Sequence, residues 1–204
     1  MKHTLLSILL VAAMAIASSV QSMAQSNPAQ ARAILDKTSK VIGHKSGVSA
    51  SFTLNNPTTG NVSGTIAVKG GKFNARTPQA IVWFNGKTQW TYMKKNNEVN
   101  ISTPTQAQQQ MMNPYTFINV YKTGYNMSSA KAGANYEVHL VAQNQKRSIQ
   151  EVNSKTYVPS RVKMKHNGRW YTVTISNFSA KKQPDSLFTF NSKDYPSAEV
   201  IDLR

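Results

Sequence analysis

From Val48 onward apolar and polar residues alternate in short runs, and each run is closed by turn-forming residues. A period of two belongs to a strand with one wetted face, whereas a helix repeats every 3.6 residues. Phe52 and Leu54 share one side of a run that stops at Asn55, Asn56 and Pro57. Val62, Ile66 and Val68 share one side of the next run, with Ser63, Thr65 and Lys69 opposite. Gly70 and Gly71 mark its turn, and Phe73 begins another strand. Ile81 to Phe84 and Thr88 to Met93 flank Asn85-Gly86, a pair suited to the positive φ of tight hairpins, and Trp90 and Tyr92 then share a face. A turn at Lys94 to Asn97 leads to Val99 and Ile101, so this half reads as an antiparallel meander.

Two stretches break the alternation. Asn27 and Pro28 supply an N-cap and a first helical position, Ala31, Ile34, Leu35, Val41 and Ile42 recur at helical spacing, and Gly43 ends the helix. Thr103 and Pro104 lead into Gln106 to Met112, with helical propensity and two adjacent methionines; Asn113 and Pro114 then start a helix that presents Phe117, Ile118 and Tyr121 and stops near Gly124. Strands resume at Tyr136, Val138 and Leu140, then around Ile149 and Val152, Val162 and Met164, Tyr171 to Ile175, and Phe188 with Phe190. So many short strands fit a barrel or a strongly curved sheet whose open side the helices cover.

Lys2 and His3 precede an apolar run from Leu5 to Ala17 and a small-residue site at Ser22, Met23 and Ala24, the pattern of a cleavable secretory signal over residues 1–24. The run is too short for a membrane-spanning helix, which needs about 20 apolar residues. Residues 25–204 then suit one soluble domain. With no cysteine in the chain, disulfides, thiolate chemistry and lipidation at a cysteine are all excluded, so stability must come from a packed core. The formal net charge of +16 favours anionic partners through long-range attraction. Its densest cluster is Arg161, Lys163 and Lys165 on one face of a strand, with Arg169 after the turn.

Catalytic constellations are hard to assemble. The mature chain offers only His44 beside a helix end, His139 on the polar face of a strand and His166 before a turn, with few carboxylates to pair with them. No spacing supplies a triad, a metal site or a phosphate-cradling loop, so we expect no enzyme, no metal and no cofactor. The apolar residues are the unusual feature: Phe52, Phe73, Trp83, Trp90, Tyr92, Met111, Met112, Phe117 and Tyr121 are large and adaptable. A sheet lined with them and capped by a methionine-bearing helix could host a flexible chain.

The order of these elements resembles the LolA family of periplasmic lipoprotein carriers. The resemblance rests on Ile34-Leu35-Asp36-Lys37 in the entry helix, Ser49-Ala50-Ser51-Phe52-Thr53, Gly64 to Lys69, Phe73-Asn74, and Asn85-Gly86-Lys87-Thr88-Gln89-Trp90-Thr91-Tyr92, which is similar to the family's "DGKTLWFY" hairpin. The Pro104 and Pro114 region is similar to its lid, and Leu187-Phe188-Thr189-Phe190 to its closing strand. The resemblance implies a mainly β fold with α, an incomplete, half-open antiparallel β-barrel closed by a helical lid. It also implies an apolar cavity for acyl chains, here bounded by Phe52, Leu54, Ile66, Val68, Phe73, Trp83, Trp90, Tyr92 and Ile101 on one sheet face and by Met111, Met112, Phe117, Ile118 and Tyr121 of the lid. The implied partners are an acylated lipoprotein or lipid, a donor complex at the inner membrane and an acceptor at the outer membrane. We expect a periplasmic monomer with no nucleic-acid partner. A sensor or adaptor of the same fold, or a phospholipid- or glycolipid-binding module, is the alternative. Gly70 stands where many members carry a lid-latching arginine, Ala75 where tryptophan is common and Leu54 where a polar residue is common, so a different latch is expected.

Overall fold

The computed structural model describes residues 27–58, 60–105, 108–109, 120–122, 124–142, 147–166 and 168–204. The expected signal segment and the lid residues Met111, Met112, Phe117 and Ile118 lie outside the described residues. One helix, α1 (Pro28–Ile42), opens the described chain. Asn27 accepts a hydrogen bond from the Gln30 N–H at 2.9 Å, and the Gly43 N–H closes the other end on the Ser39 carbonyl at 2.8 Å. These caps satisfy backbone groups that a helix leaves orphaned, as the sequence predicts.

Six antiparallel strands follow: β1 (Val48–Asn56), β2 (Gly60–Lys69), β3 (Lys72–Arg76), β4 (Ala80–Phe84), β5 (Gln89–Met93) and β6 (Glu98–Ser102). A second meander comprises β7 (Tyr125–Ala132), β8 (Asn135–Ala142), β9 (Arg147–Asn153), β10 (Pro159–His166) and β11 (Arg169–Ser179). β11 pairs with β1, which joins the two halves into one sheet. The last strand, β12 (Glu199–Asp202), pairs parallel to β6 and gives the order β12-β6-β5-β4-β3-β2-β1-β11-β10-β9-β8-β7. The outer strands β12 and β7 do not pair, so the sheet is open, an incomplete barrel as the resemblance implies.

Three expectations are corrected. The β4–β5 turn uses four residues, Asn85 to Thr88, and only Gly86 takes a positive φ, of 100°. Asn85 instead folds its carboxamide oxygen back onto the Lys87 and Thr88 N–H groups, at 3.0 and 2.9 Å. Residues 185–188 form a 3₁₀ turn and Thr189 and Phe190 are not in a strand; the terminal strand is β12, eleven residues after Phe188. A whole strand, β7, fills the stretch before Tyr136, where Asn126, Ser128, Ser129 and Lys131 dilute the apolar alternation that marks the other strands.

The register sorts every strand into two faces. α1 packs on one, here called inner: Ala31, Ile34 and Leu35 join Tyr121, Met127, Val138, Leu140 and Val152 in one buried cluster. At the helix's other end Ile42 meets Val48, Val68, Phe73 and Phe84 in a second. The outer face of β4 to β6 carries Ile81, Trp83, Trp90, Tyr92, Val99 and Ile101, and the chain between β11 and β12 crosses over it. Phe190 and Tyr195 stack edge-on to Trp83 at 5.5 and 5.6 Å between ring centroids, and Tyr195 lies 4.7 Å from Tyr92. Asp185 fastens this strap, accepting hydrogen bonds from Lys69 and Lys72 at 3.0 Å each. The bonds from Lys72 and then Lys69 hold the Asp185 carboxyl below the usual carboxylate range.

Candidate apolar binding site

A pocket of about 240 Å³ opens on the inner face where the two meanders meet. β1 contributes Val48, Ala50, Phe52 and Leu54, every second residue, as the period of two requires. Ile66 and Val68 of β2 and Ala75 of β3 extend one wall. β10 and β11 build the other from Pro159, Val162, Met164, Val173, Ile175 and Phe178, and Ile42 closes the end where α1 stops. Among the described residues Ser49 is the one polar member of the lining, and none of them brings a titratable group to the space. Among these residues there is no acid or base to activate the Ser49 hydroxyl; what the wall offers is exclusion of water from a guest that makes no hydrogen bonds.

Small residues make the hollow. Ala50 is paired across the β1–β2 ladder with Ile66, and Ala75 stands beside Ile66 on β3, so two positions on the floor carry a single methyl. Gly64 faces Phe52 in the same ladder. A Cβ on Gly64 would lie 2.2 Å from the Arg76 carbonyl oxygen and 3.0 Å from the Phe52 ring, so glycine is required for the ring to rest on β2.

Of the candidate site residues named from the sequence, Phe52, Leu54, Ile66 and Val68 line this pocket. Phe73 lies just beyond it, packed on Phe84 with centroids 5.5 Å apart. The expectation that Trp83, Trp90, Tyr92 and Ile101 share that face is corrected by the register: Phe84 pairs with Phe73, so Trp83, its neighbour along β4, points to the other side, and Trp90 and Ile101 follow it across β5 and β6. They form the floor under the C-terminal strap instead. Tyr121 is fully buried against α1, and its hydroxyl donates to Asp36 at 2.5 Å. It therefore ties the chain after the expected lid to the entry helix. The lid's beginning is described: Thr105 Oγ1 accepts from the Gln108 N–H and Gln108 Oε1 accepts from the Thr105 N–H, at 3.3 and 2.8 Å, a reciprocal helix-starting box.

The second wall was missed. Val162, Met164, Val173 and Ile175 are legible as strand residues, and the same alternation that points to Phe52 could have pointed to them; what the sequence lacks is the pairing of β11 with β1 that brings them opposite Phe52. His44 and His139 are not brought together: His44 bonds the Ser46 hydroxyl at 2.6 Å, and His139 contacts Glu137 on the outer face.

The model of the outer membrane lipoprotein carrier protein LolA family matches residues 20–168. Among solved structures, an uncharacterized conserved protein from Thermus thermophilus is similar in fold, with a TM-score of 0.60 at 11% identity over 85% of this chain and 99% of that one. A LolA superfamily protein from Nitrosomonas europaea aligns with a TM-score of 0.43 at 10% identity, over 78% of this chain and 97% of that one. No curated protein matches the sequence.

Proposed function

The chain belongs to the outer membrane lipoprotein carrier protein LolA family, a non-enzymatic one, and from that premise we propose that it binds the acyl chains of a lipoprotein in the inner-face pocket and carries them through the periplasm toward the outer membrane. The family supports a periplasmic lipid- or lipoprotein-handling role. The observation that carries the finer reading is the pocket itself: an apolar hollow over the paired strands β1 and β11, on the face that α1 also covers. Each methylene moved from water into it is stabilised by about 0.8 kcal/mol, and release needs only a competing apolar site. No bond has to be made or broken. An adaptor that used the same fold only as a scaffold would be served better by a filled interior. Within this reading the signal segment exports the chain, an inner-membrane donor loads it and an outer-membrane acceptor unloads it.

The test is mass spectrometry of organic extracts from protein purified from its native host. Co-purifying acyl lipid is expected, and it should be lost on Phe52→Asp, which puts a charge on the pocket wall. Wild-type extracts free of acyl lipid, together with failure to keep an acylated lipoprotein soluble, would refute the proposal.

A further inference from the structure

The pocket wall of β10 and β11 ends in a hairpin tip whose outer face carries chemistry that the pocket does not use. Lys165 and Trp170 are directly paired across the ladder, Lys163 precedes them on the same face, and Arg169, paired with His166 beside the turn, falls by register on the opposite face of the tip. Trp170 is 38% exposed, one of only four large hydrophobic side chains exposed among the described residues. Among the described residues no ion pair engages Lys163, Lys165 or Arg169; Arg169 donates to the Thr58 hydroxyl at 2.9 Å, which braces the tip on the β1–β2 turn.

The acids are elsewhere. The chain has eight: Asp36 on α1, Glu98, Glu199 and Asp202 at the β6–β12 edge, Asp185 and Asp194 in the strap, and Glu137 and Glu151 on β8 and β9. Glu151 comes nearest in register, opposite Arg161, four residues or about 13 Å along the strand from Lys165. A tip with cations, an exposed indole and no acid is complementary to a negatively charged, partly apolar surface. Indole rings settle at the level of lipid headgroups, and Lys and Arg stems reach past them to phosphates. Trp170 also lies three residues, about 10 Å, beyond the pocket-lining Val173 on the same strand, so a surface touched by the tip is close to that end of the pocket.

We infer that the β10–β11 tip docks the protein on an anionic lipid bilayer, with Trp170 seated among the headgroups and Lys163, Lys165 and Arg169 on the lipid phosphates. This goes beyond acyl-chain carriage and does not depend on what fills the pocket.

Co-sedimentation of the full mature chain with vesicles tests it, using phosphatidylcholine alone and phosphatidylcholine mixed with phosphatidylglycerol. Binding to the mixed vesicles is expected, weakening as salt rises. Trp170→Ser should lower the partition coefficient about tenfold. The double variant Lys165→Glu, Arg169→Glu should lower it by roughly 25-fold or more, at about fivefold per cation lost. Lys181→Glu with Lys182→Glu, the same change of net charge on exposed residues ahead of the strap, should leave it within about twofold, because the attraction falls off within roughly a Debye length of the surface. Ala50→Phe, which fills the pocket, should bind vesicles as the wild type does. Equal binding to both vesicle types, equal losses in the tip and strap variants, unchanged binding in Trp170→Ser, or loss of vesicle binding in Ala50→Phe would each overturn the inference.

Discussion

Ala50→Phe fills the proposed site while leaving its frame in place. The pocket measures about 240 Å³, room for roughly eight groups the size of a water or a methylene at ~30 Å³ each. Eight buried methylenes correspond to about 6 kcal/mol of gross transfer free energy, reduced in a measured affinity by the cost of immobilising the guest. Ala50 points into this space from near the start of β1, between Val48 and Phe52 on the same face. A phenyl ring there claims the room of about five methylenes, so binding of a fluorescent long-chain fatty acid should weaken by about 4 kcal/mol, near a thousandfold. The ring enters vacant apolar space, so the ligand-free melting temperature should hold or rise; overpacking would show instead as a loss of ~1–3 kcal/mol. Titration of the probe and a thermal melt on the same samples decide the matter. A variant that melts like the wild type and binds the probe with wild-type affinity refutes the assignment of the pocket as the acyl site.

Gly64→Ala should destabilise the fold by roughly 1–3 kcal/mol, since its methyl would press on the Arg76 carbonyl, and should lower the urea midpoint; an unchanged midpoint would mean that β2 and β3 can part at no cost. The Asp185 carboxyl is held below its unfolded value by Lys72 and Lys69, so its ion pairs secure the strap above the ordinary carboxylate range near ~4 and are lost as the pH falls through the lowered folded value. Hydrogen exchange across residues 185–195 should accelerate over that acid window in the wild type, and Asp185→Asn should exchange fast at every pH. Identical profiles for the two proteins would show that the aromatic contacts alone hold the strap.

The first meander was legible because its punctuation is chemical. Asn55-Asn56-Pro57, Gly70-Gly71, Asn85-Gly86 and Lys94 to Asn97 each stop a strand for a local reason, and the observed strands end within a residue or two of them. Which face of each strand points inward was not local. Along β1 and β2 the inner face is the apolar one, with Ser51, Thr53, Ser63 and Thr65 outside, but by β5 the inner face carries Gln89 and Thr91 while Trp90 and Tyr92 point out. The alternation is equally clean in both places. The sheet changes its oily side between β3 and β5, and only the strap, which returns from β11 to reach β6, explains why. One apolar side for the whole sheet would put all eight residues together, whereas the register has Phe52, Leu54, Ile66 and Val68 on the inner face and Trp83, Trp90, Tyr92 and Ile101 on the outer one.

The position of the pocket follows from a mismatch of lengths. α1 has 15 residues and so spans about 22 Å, whereas twelve strands spaced by ~4.8 Å extend for roughly 50 Å across the sheet. The helix can shield only part of the inner face. Its apolar stripe of Ala31, Ile34 and Leu35 is spent on β7 to β9, and Ile42, its last residue, joins Val48, Val68, Phe73 and Phe84 of β1 to β4. β10 and β11 lie between those two contacts in the strand order, and of the helix only Ile42 lines the apolar stretch they form with β1, which small side chains at Ala50 and Ala75 deepen rather than fill. Bulkier residues at those two positions would have completed a core from the protein's own atoms. A chain that keeps a hollow there forgoes that packing, and under the proposed function the stabilisation it forgoes is what an acyl chain would supply on entering.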